Sequence, residues 1–268
     1  MNETERHMTH LLKLGKEEFG VVSVKAEFEA EGTRTDELLR LVDIARSAGL
    51  PLTVKVGGCE AIRDLLEAKQ IGVRYIVAPM VETPYALEKY VAAKNLVYSP
   101  EEREDTDFLF NIETITGYDN RTNMIQVANQ TNGVQGVVFG RVDFVGSLRR
   151  HRDSINDPDI TDRVIEIGQD LRGSGLQLVV GGGVSIDALP ALKEIAGTHL
   201  TRFETRKVVF SGDAVNLPNL EQGLLNAVRF ELLWLLNKRD YYGRITQEDA
   251  RRIDMLESRW KVLNSSHS

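Results

Sequence analysis

The residues best able to do chemistry in this chain are charged groups at the ends of apolar runs, and the first of them is Glu113. It closes the run FLFNIE, Phe108 to Glu113, and a Gly and a polar cluster follow within a few residues. A carboxylate at the edge of an apolar core is costly without a partner, so its placement asks for one. Asp143, in VVFGRVDF, closes the next apolar run. Adjacent strands lie about 4.8 Å apart, so the two carboxyls are expected within a few ångströms of each other. Two such groups repel unless a cation sits between them or one holds a proton. A hard divalent metal ion, Mg2+ or Mn2+, answers this best, because it needs only one or two protein carboxylates and leaves positions for water and substrate oxygens. A shared proton is the alternative.

Other runs end in the same way. KAEFEAEG carries Lys25, Glu27 and Glu29 in alternation, which points them to one side of a strand. VKVGGCE brings Lys55, FGRVD brings Arg141 beside Asp143, and FETRK brings Arg206. One such end reads as a solvated salt bridge; six polar strand ends, that of VVGGG included, read as the rim of a site. VVGGGVS, Val179 to Ser185, is a Gly-rich strand end entering a helix, so the N–H groups near Gly182 and Gly183 are candidates for holding phosphate or carboxylate; a tight turn with positive φ is the other reading. Cys59 stands before a helix start and reads as buried filler. LRRHRD, Leu148 to Asp153, is a basic loop that reads either as solvated surface or as a recognition element for an acidic second substrate.

These ends need a scaffold. Short Val- and Ile-rich runs alternate with segments of helical period, the pattern of βα units around a parallel sheet. The expected strands are Val21 to Lys25, Leu52 to Val56, Tyr75 to Ala78, Asn95 to Tyr98, Phe108 to Ile112, Val137 to Gly140, Leu176 to Val180 and Arg202 to Phe210. Eight alternations suggest an α/β fold, a (β/α)8 TIM barrel whose chemistry collects at the C-terminal ends of the strands; an open doubly wound sheet is the alternative. The segment up to Phe19 reads as helix. From Leu220 two further helices are expected, the second capped by Thr246, and the final NSSHS is expected to be disordered. The expected organisation is a barrel domain over 1–215 and C-terminal helices over 216–268. Leu224, Val228, Phe230, Leu232, Trp234 and Leu235 give the first of those helices more apolar surface than one barrel face requires, so a homo-oligomer contact through it is expected.

Bulk properties narrow the class. A chain of 268 residues, 42% hydrophobic, can bury a full core. No apolar run approaches the roughly 18 residues of a membrane span. A net charge of -7 argues against general nucleic-acid binding. MNETERHMTH lacks the pattern of a secretory signal, and a single Cys allows no internal disulfide, so the expected localisation is cytoplasmic.

VAPMVETPYAL, NIETITG and VVFGRVDFVGSL, in that order, resemble the HpcH/HpaI aldolase and citrate lyase β-subunit family of phosphoenolpyruvate/pyruvate-binding barrels, over roughly residues 20 to 215. The resemblance implies that Glu113 and Asp143 are metal-ligating carboxylates, that Lys55 stands where the family places an Arg holding the carbonyl of a pyruvate-like substrate, and that Asn111 is a pocket-lining amide. It implies reversible carbon–carbon bond formation or cleavage through the enolate of a small 2-oxo acid and a second carbonyl substrate. The aldolase branch also places a catalytic His where this chain has Phe28, and of the five His residues only His151 follows Asp143 closely enough to reach the rim. The proton then falls to Glu27 or Glu29, or to Lys25 if its pKa is depressed, with a Schiff base at Lys25 as a sharper variant. Lys55 or Arg206 would hold substrate oxygens. The expected function is therefore a divalent-metal-dependent lyase of aldolase type. The alternatives are a phosphate-binding barrel enzyme using the glycines and Arg206, and a barrel that binds an acidic metabolite without turning it over.

Overall fold

The computed structural model describes residues 1–265. Eight strands close into a barrel in sequence order: β1 (Val21–Glu27), β2 (Leu52–Lys55), β3 (Tyr75–Ala78), β4 (Asp107–Ile112), β5 (Gly136–Gly140), β6 (Gln177–Gly181), β7 (Arg202–Glu204) and β8 (Val208–Ser211). Ten α-helices accompany them among the described residues: α1 (Glu3–Glu18), α2 (Thr35–Ser47), α3 (Ile62–Ile71), α4 (Pro84–Val97), α5 (Ile115–Asp119), α6 (Arg121–Ala128), α7 (Arg141–Ser147), α8 (Pro158–Asp170), α9 (Leu189–Ala196) and α10 (Leu220–Ser265). This is the TIM-barrel class with its helical C-terminal extension, and it differs from the expected strand list in two places.

Asn95 to Tyr98 is not a strand. It ends α4 and its C-cap, and Tyr98 is buried with its hydroxyl donating to the Leu65 carbonyl at 3.2 Å. A four-residue apolar run is equally compatible with a buried helix end, and no periodicity separates the two. The run Arg202 to Phe210, expected as one strand, is a hairpin. The Thr205 N–H donates to the Val208 carbonyl at 2.9 Å, leaving Arg206 and Lys207 as the loop. β8 therefore runs antiparallel to both β7 and β1, and the barrel closes through it.

Along each strand the side chains alternate as the pleat requires. Outward residues such as Val24, Phe110, Phe139 and Phe203 are fully buried against the helices. Inside, Val77, Leu109, Val138 and Val179 make a small apolar layer. At the N-terminal end of the strands the barrel is plugged by the guanidinium of Arg202, stacked 4.1 Å over the Tyr75 ring, with Gln177 bridging Arg202 and Asp107. The inner face at the C-terminal ends is charged.

α1 begins with a capping box in which the Asn2 side chain accepts from the Glu5 N–H at 2.8 Å and Glu5 accepts from the Asn2 N–H at 2.7 Å. α10 is one continuous helix of 46 residues, about 69 Å long. Thr246 is no cap: it lies mid-helix and its hydroxyl donates to the Tyr242 carbonyl at 3.0 Å. The first half of α10 packs on α1 with Leu224, Ala227, Phe230 and Trp234 buried. Of the tail expected to be disordered, Asn264 and Ser265 end α10 and the last three residues lie outside the described residues. Among the described residues no helix is long and apolar enough to cross a membrane.

Lys94 on α4 shows what burying a cation costs here. It is 1% exposed and donates to the Asn132 carbonyl at 2.7 Å and to Asn95 Oδ1 at 2.8 Å, with no carboxylate partner among the described residues. Burial, helped by Arg103, pushes its pKa from 10.5 down to about 8. Between those two values the unfolded chain holds more protons than the folded one, so this group makes stability rise with pH across that window. Lys94→Met removes the term. In urea titrations its stability relative to the parent protein is expected to be highest at pH 7 and to fall as pH is raised to about 10; a difference independent of pH would refute the assignment.

Candidate active site

The charged inner face is built from β1, β2, the end of β4, the start of α7 and β7. Glu113 directly follows β4 and is 2% exposed. Its Oε1 accepts the Met80 N–H at 2.9 Å; its Oε2 accepts Asn111 Nδ2 at 2.5 Å and faces Lys55 Nζ at 3.3 Å. Met80 takes a positive φ of 49° to aim that N–H, a strain carried at the site rim. Lys55 is also 3.1 Å from Glu29. Lys25 Nζ sits between Glu27, at 3.1 Å, and Glu204, which accepts a short hydrogen bond from it.

Two glycines make room for these acids. Gly140 and Gly181 are register partners on β5 and β6. A Cβ on Gly140 would lie 2.7 Å from Glu113 Oε2, and one on Gly181 would lie 2.9 Å from Glu204 Oε1. Side chains at either position would push the carboxylate aside, so both places are kept empty for chemistry or charge rather than for a turn.

The protonation states follow from the neighbours. Burial acts to lower the Lys25 pKa, but Glu204 and Glu27 outweigh it and the group is raised above the usual lysine range. This is the opposite of what a Lys25 base or Schiff-base nucleophile needs, and the structure holds Lys25 as an ammonium. Burial likewise opposes the charge on Lys55, and Glu113 and Glu29 restore it. Burial acts to raise Glu27, yet Lys25, then Lys55 and Arg206, bring its pKa below the usual carboxylate value. Asp143, in the first turn of α7, is raised by burial and then by the charge of Glu113. It stands at the helix start rather than on the strand, close enough for Glu113 to act on it.

The remaining expected residues are placed differently. Arg206 is at the β7–β8 loop, its side chain 58% exposed and 3.9 Å from Glu31, and it makes no contact with Glu113. Its charge still reaches the rim, where it helps to lower the Glu27 pKa. Arg141 is 1% exposed; its Nε donates to the Gly181 carbonyl at 3.2 Å and its Nη1 to Asn156 at 2.9 Å, and burial brings its pKa down to about 10. Gly182 and Gly183 have φ of 78° and 69°, and added Cβ atoms would meet the Val142 N at 2.6 Å and Ile155 Cδ1 at 2.5 Å. Their backbone is pressed against α7 and its following loop, which favours the tight-turn reading over an anion cradle. His151 is 81% exposed and sits 3.0 Å from Asp153, so among the described residues no histidine joins the cluster. Phe28 is partly buried against the core. Cys59 is half-buried, and burial raises its pKa. The acid the sequence reading missed is Glu204; its period-2 relation to Arg202 on a buried strand was the available signal.

The family model described as HpcH/HpaI aldolase/citrate lyase matches residues 30–178, more than half of the chain. The chain belongs to this family. Solved structures with the same fold include an HpcH/HpaI aldolase from Desulfitobacterium hafniense DCB-2, with a TM-score of 0.59 and 13% identity over 74% of this chain and 82% of that one. An HpcH/HpaI aldolase/citrate lyase family protein from Burkholderia cenocepacia J2315 gives 0.58 and 18% over 84% and 90%. The citrate synthase SbnG gives 0.56 and 20% over 74% and 81%. At these identities the likeness carries the fold alone. No curated protein matches the chain at a significant level.

Two stability outcomes follow from the geometry. Lys25→Met leaves Glu204 and Glu27 buried without their cation and is expected to cost roughly 3 kcal/mol or more, whereas Lys25→Met with Glu204→Leu costs less than the single change. Gly182→Ala combines positive φ with backbone overlap and is expected to cost about 3 kcal/mol. Urea denaturation measures both; a tolerated Gly182→Ala would return the loop to the ligand-cradle reading.

Proposed function

We propose that this protein is a divalent-metal-dependent lyase of aldolase type, acting through the enolate of pyruvate or a related small 2-oxo acid. Family membership supports the coarser lyase or aldolase class. The finer reading rests chiefly on one observation: five carboxylates, Glu27, Glu29, Glu113, Asp143 and Glu204, gather around only two ammonium groups, Lys25 and Lys55. The excess negative charge is what a cation would complete.

The residues present fit such an ion. Glu113 and Asp143 would hold it, and the buried Asn111 Oδ1, which has no hydrogen-bond partner, is an oxygen acceptor left open beside Glu113. All donors are oxygen, as Mg2+ or Mn2+ prefers; among the described residues no group of three or more His, Cys, Asp or Glu side chains is placed to hold an ion, so water and substrate oxygens would have to supply the remaining positions. When bound, the ion would supply stabilisation of the negative charge that develops on the ketone oxygen.

The chain's own residues do the rest. Lys55, kept charged by Glu113 and Glu29, offers its ammonium to a substrate oxygen as a point charge. Glu27 is the carboxylate that can take the methyl proton; Lys25 keeps it ionised and oriented. Apolar walls below the charged layer exclude water from the reacting carbon.

A second reading, a barrel that binds an acidic metabolite without turnover, is favoured by Glu27 being a weakened base, and by Phe28 standing where the family resemblance implies a catalytic histidine. NMR of pyruvate in D2O with metal-stripped protein separates the two. Methyl-proton exchange that requires added Mg2+ or Mn2+ and is lost in Glu113→Gln is expected. Absence of exchange from protein shown to bind the ion would favour the binding protein.

A further inference from the structure

The distal half of α10 extends away from the barrel with its side chains in solvent. Every residue from Arg244 to Lys261 is exposed, and Ile253, Leu256 and Trp260 are 54%, 55% and 67% exposed. An unsupported helix of this length is marginal in water, and an apolar stripe on it needs cover. The docked half carries a matching stripe on the side turned away from α1, where Val228, Leu232 and Leu235 are each more than half exposed.

The two stripes belong to one repeat of alternating four- and three-residue steps, the spacing of a coiled-coil seam. Between them the repeat passes through Arg239, Tyr242, Thr246 and Asp249. Arg239 and Asp249 are its only charged members, and they decide how two copies can meet. Side by side in parallel, Arg239 would face Arg239 and Asp249 would face Asp249. Antiparallel, the seam is symmetric about Arg244: Val228 meets the partner's Trp260, Leu232 meets Leu256, Leu235 meets Ile253, and Arg239 meets Asp249. The flanking positions agree, with Arg229 opposite Glu257 and Glu231 opposite Arg259. One flank is unfavourable, Lys238 opposite Arg252, and Lys238 is already held by Glu37 of its own chain at 2.9 Å.

We propose that α10 is a dimerisation element: two copies of this chain lay their α10 helices antiparallel, each distal arm covering the Val228–Leu235 stripe of the other. The contact is isologous and closes after two copies. It runs from Val228 to Trp260, about 50 Å, and is independent of what the barrel catalyses.

Sedimentation of the full-length protein is expected to give a dimer, and Leu232→Asp with Leu256→Asp a folded monomer by far-UV circular dichroism. Arg239→Asp alone and Asp249→Arg alone should each weaken the dimer by roughly tenfold or more, and the two together should restore it. In a Cys59→Ser background, Leu232→Cys with Leu256→Cys should form interchain disulfides under mild oxidation, while Leu235→Cys alone should not. A protein that stays monomeric at micromolar concentration, a dimer indifferent to Leu232→Asp with Leu256→Asp, or efficient cross-linking through Leu235→Cys would each overturn the proposal.

Discussion

Charge inside the barrel is the constraint on which this structure turns. Four strands that could have closed over an apolar core instead bring Lys25, Glu27, Lys55, Asn111 and Glu204 inward, all nearly inaccessible to water. Charged groups gathered this closely inside a barrel are held by opposite charges in contact. The arrangement meets that condition with two cations, each between two acids: Glu204, Lys25 and Glu27 in one run, Glu29, Lys55 and Glu113 in the other. The hairpin closure makes the first run possible. β8 contributes Val209 between Glu204 on β7 and Ser23 on β1, so nothing large stands between Glu204 and Lys25. A bulky inward side chain on β8 would separate them. Gly140 and Gly181, on β5 and β6, do the same by leaving space for the acids themselves.

The same pairing limits the chemistry. An ammonium that satisfies two buried carboxylates is a poor proton donor and a worse nucleophile, which turns attention from the lysines to the acids. Among the acids the environments diverge: Glu27 is drawn down by its cations, and Asp143 is driven up by burial and Glu113. Carboxyls pushed apart in this way can take different roles in one site. Phe28, the next residue after Glu27, is apolar and packs partly buried against the core.

Much of this was legible in the sequence because it depends on period. Alternating Lys25, Glu27 and Glu29 on a strand must share a side, and Glu113 at the end of an apolar run must be buried with partners. The eight-unit barrel followed from the same alternation, even though one of the eight runs was a helix end and another was two strands. What was not legible depends on reversal and contact. Nothing in RFETRKVVF marks the chain as turning at Arg206, because a two-residue loop of Arg and Lys lacks the Gly or Asn that usually signals a hairpin. With the turn missed, Glu204 could not be placed against Lys25. The glycines were ambiguous for the same reason: GGG fits a cradle or a tight turn, and only the positions of Val142 and Ile155 show that packing already requires it.

The hairpin also explains why its two loop residues behave so differently. Arg206 projects outward to Glu31 across 3.9 Å, whereas Lys207 is 2% exposed, bonded to Glu31 and set 5.7 Å over the Trp234 ring. The Lys207 carbonyl accepts the Lys25 N–H at 2.9 Å, so the loop is fastened to β1 from one side and to α10 from the other. Consecutive residues in a tight turn cannot both face inward, and the one nearer α10 finds an aromatic face and a carboxylate waiting. The docked half of α10 is therefore part of what holds the Lys25 end of the charged rim in place, through Trp234 and Lys207, rather than an appendage to the barrel.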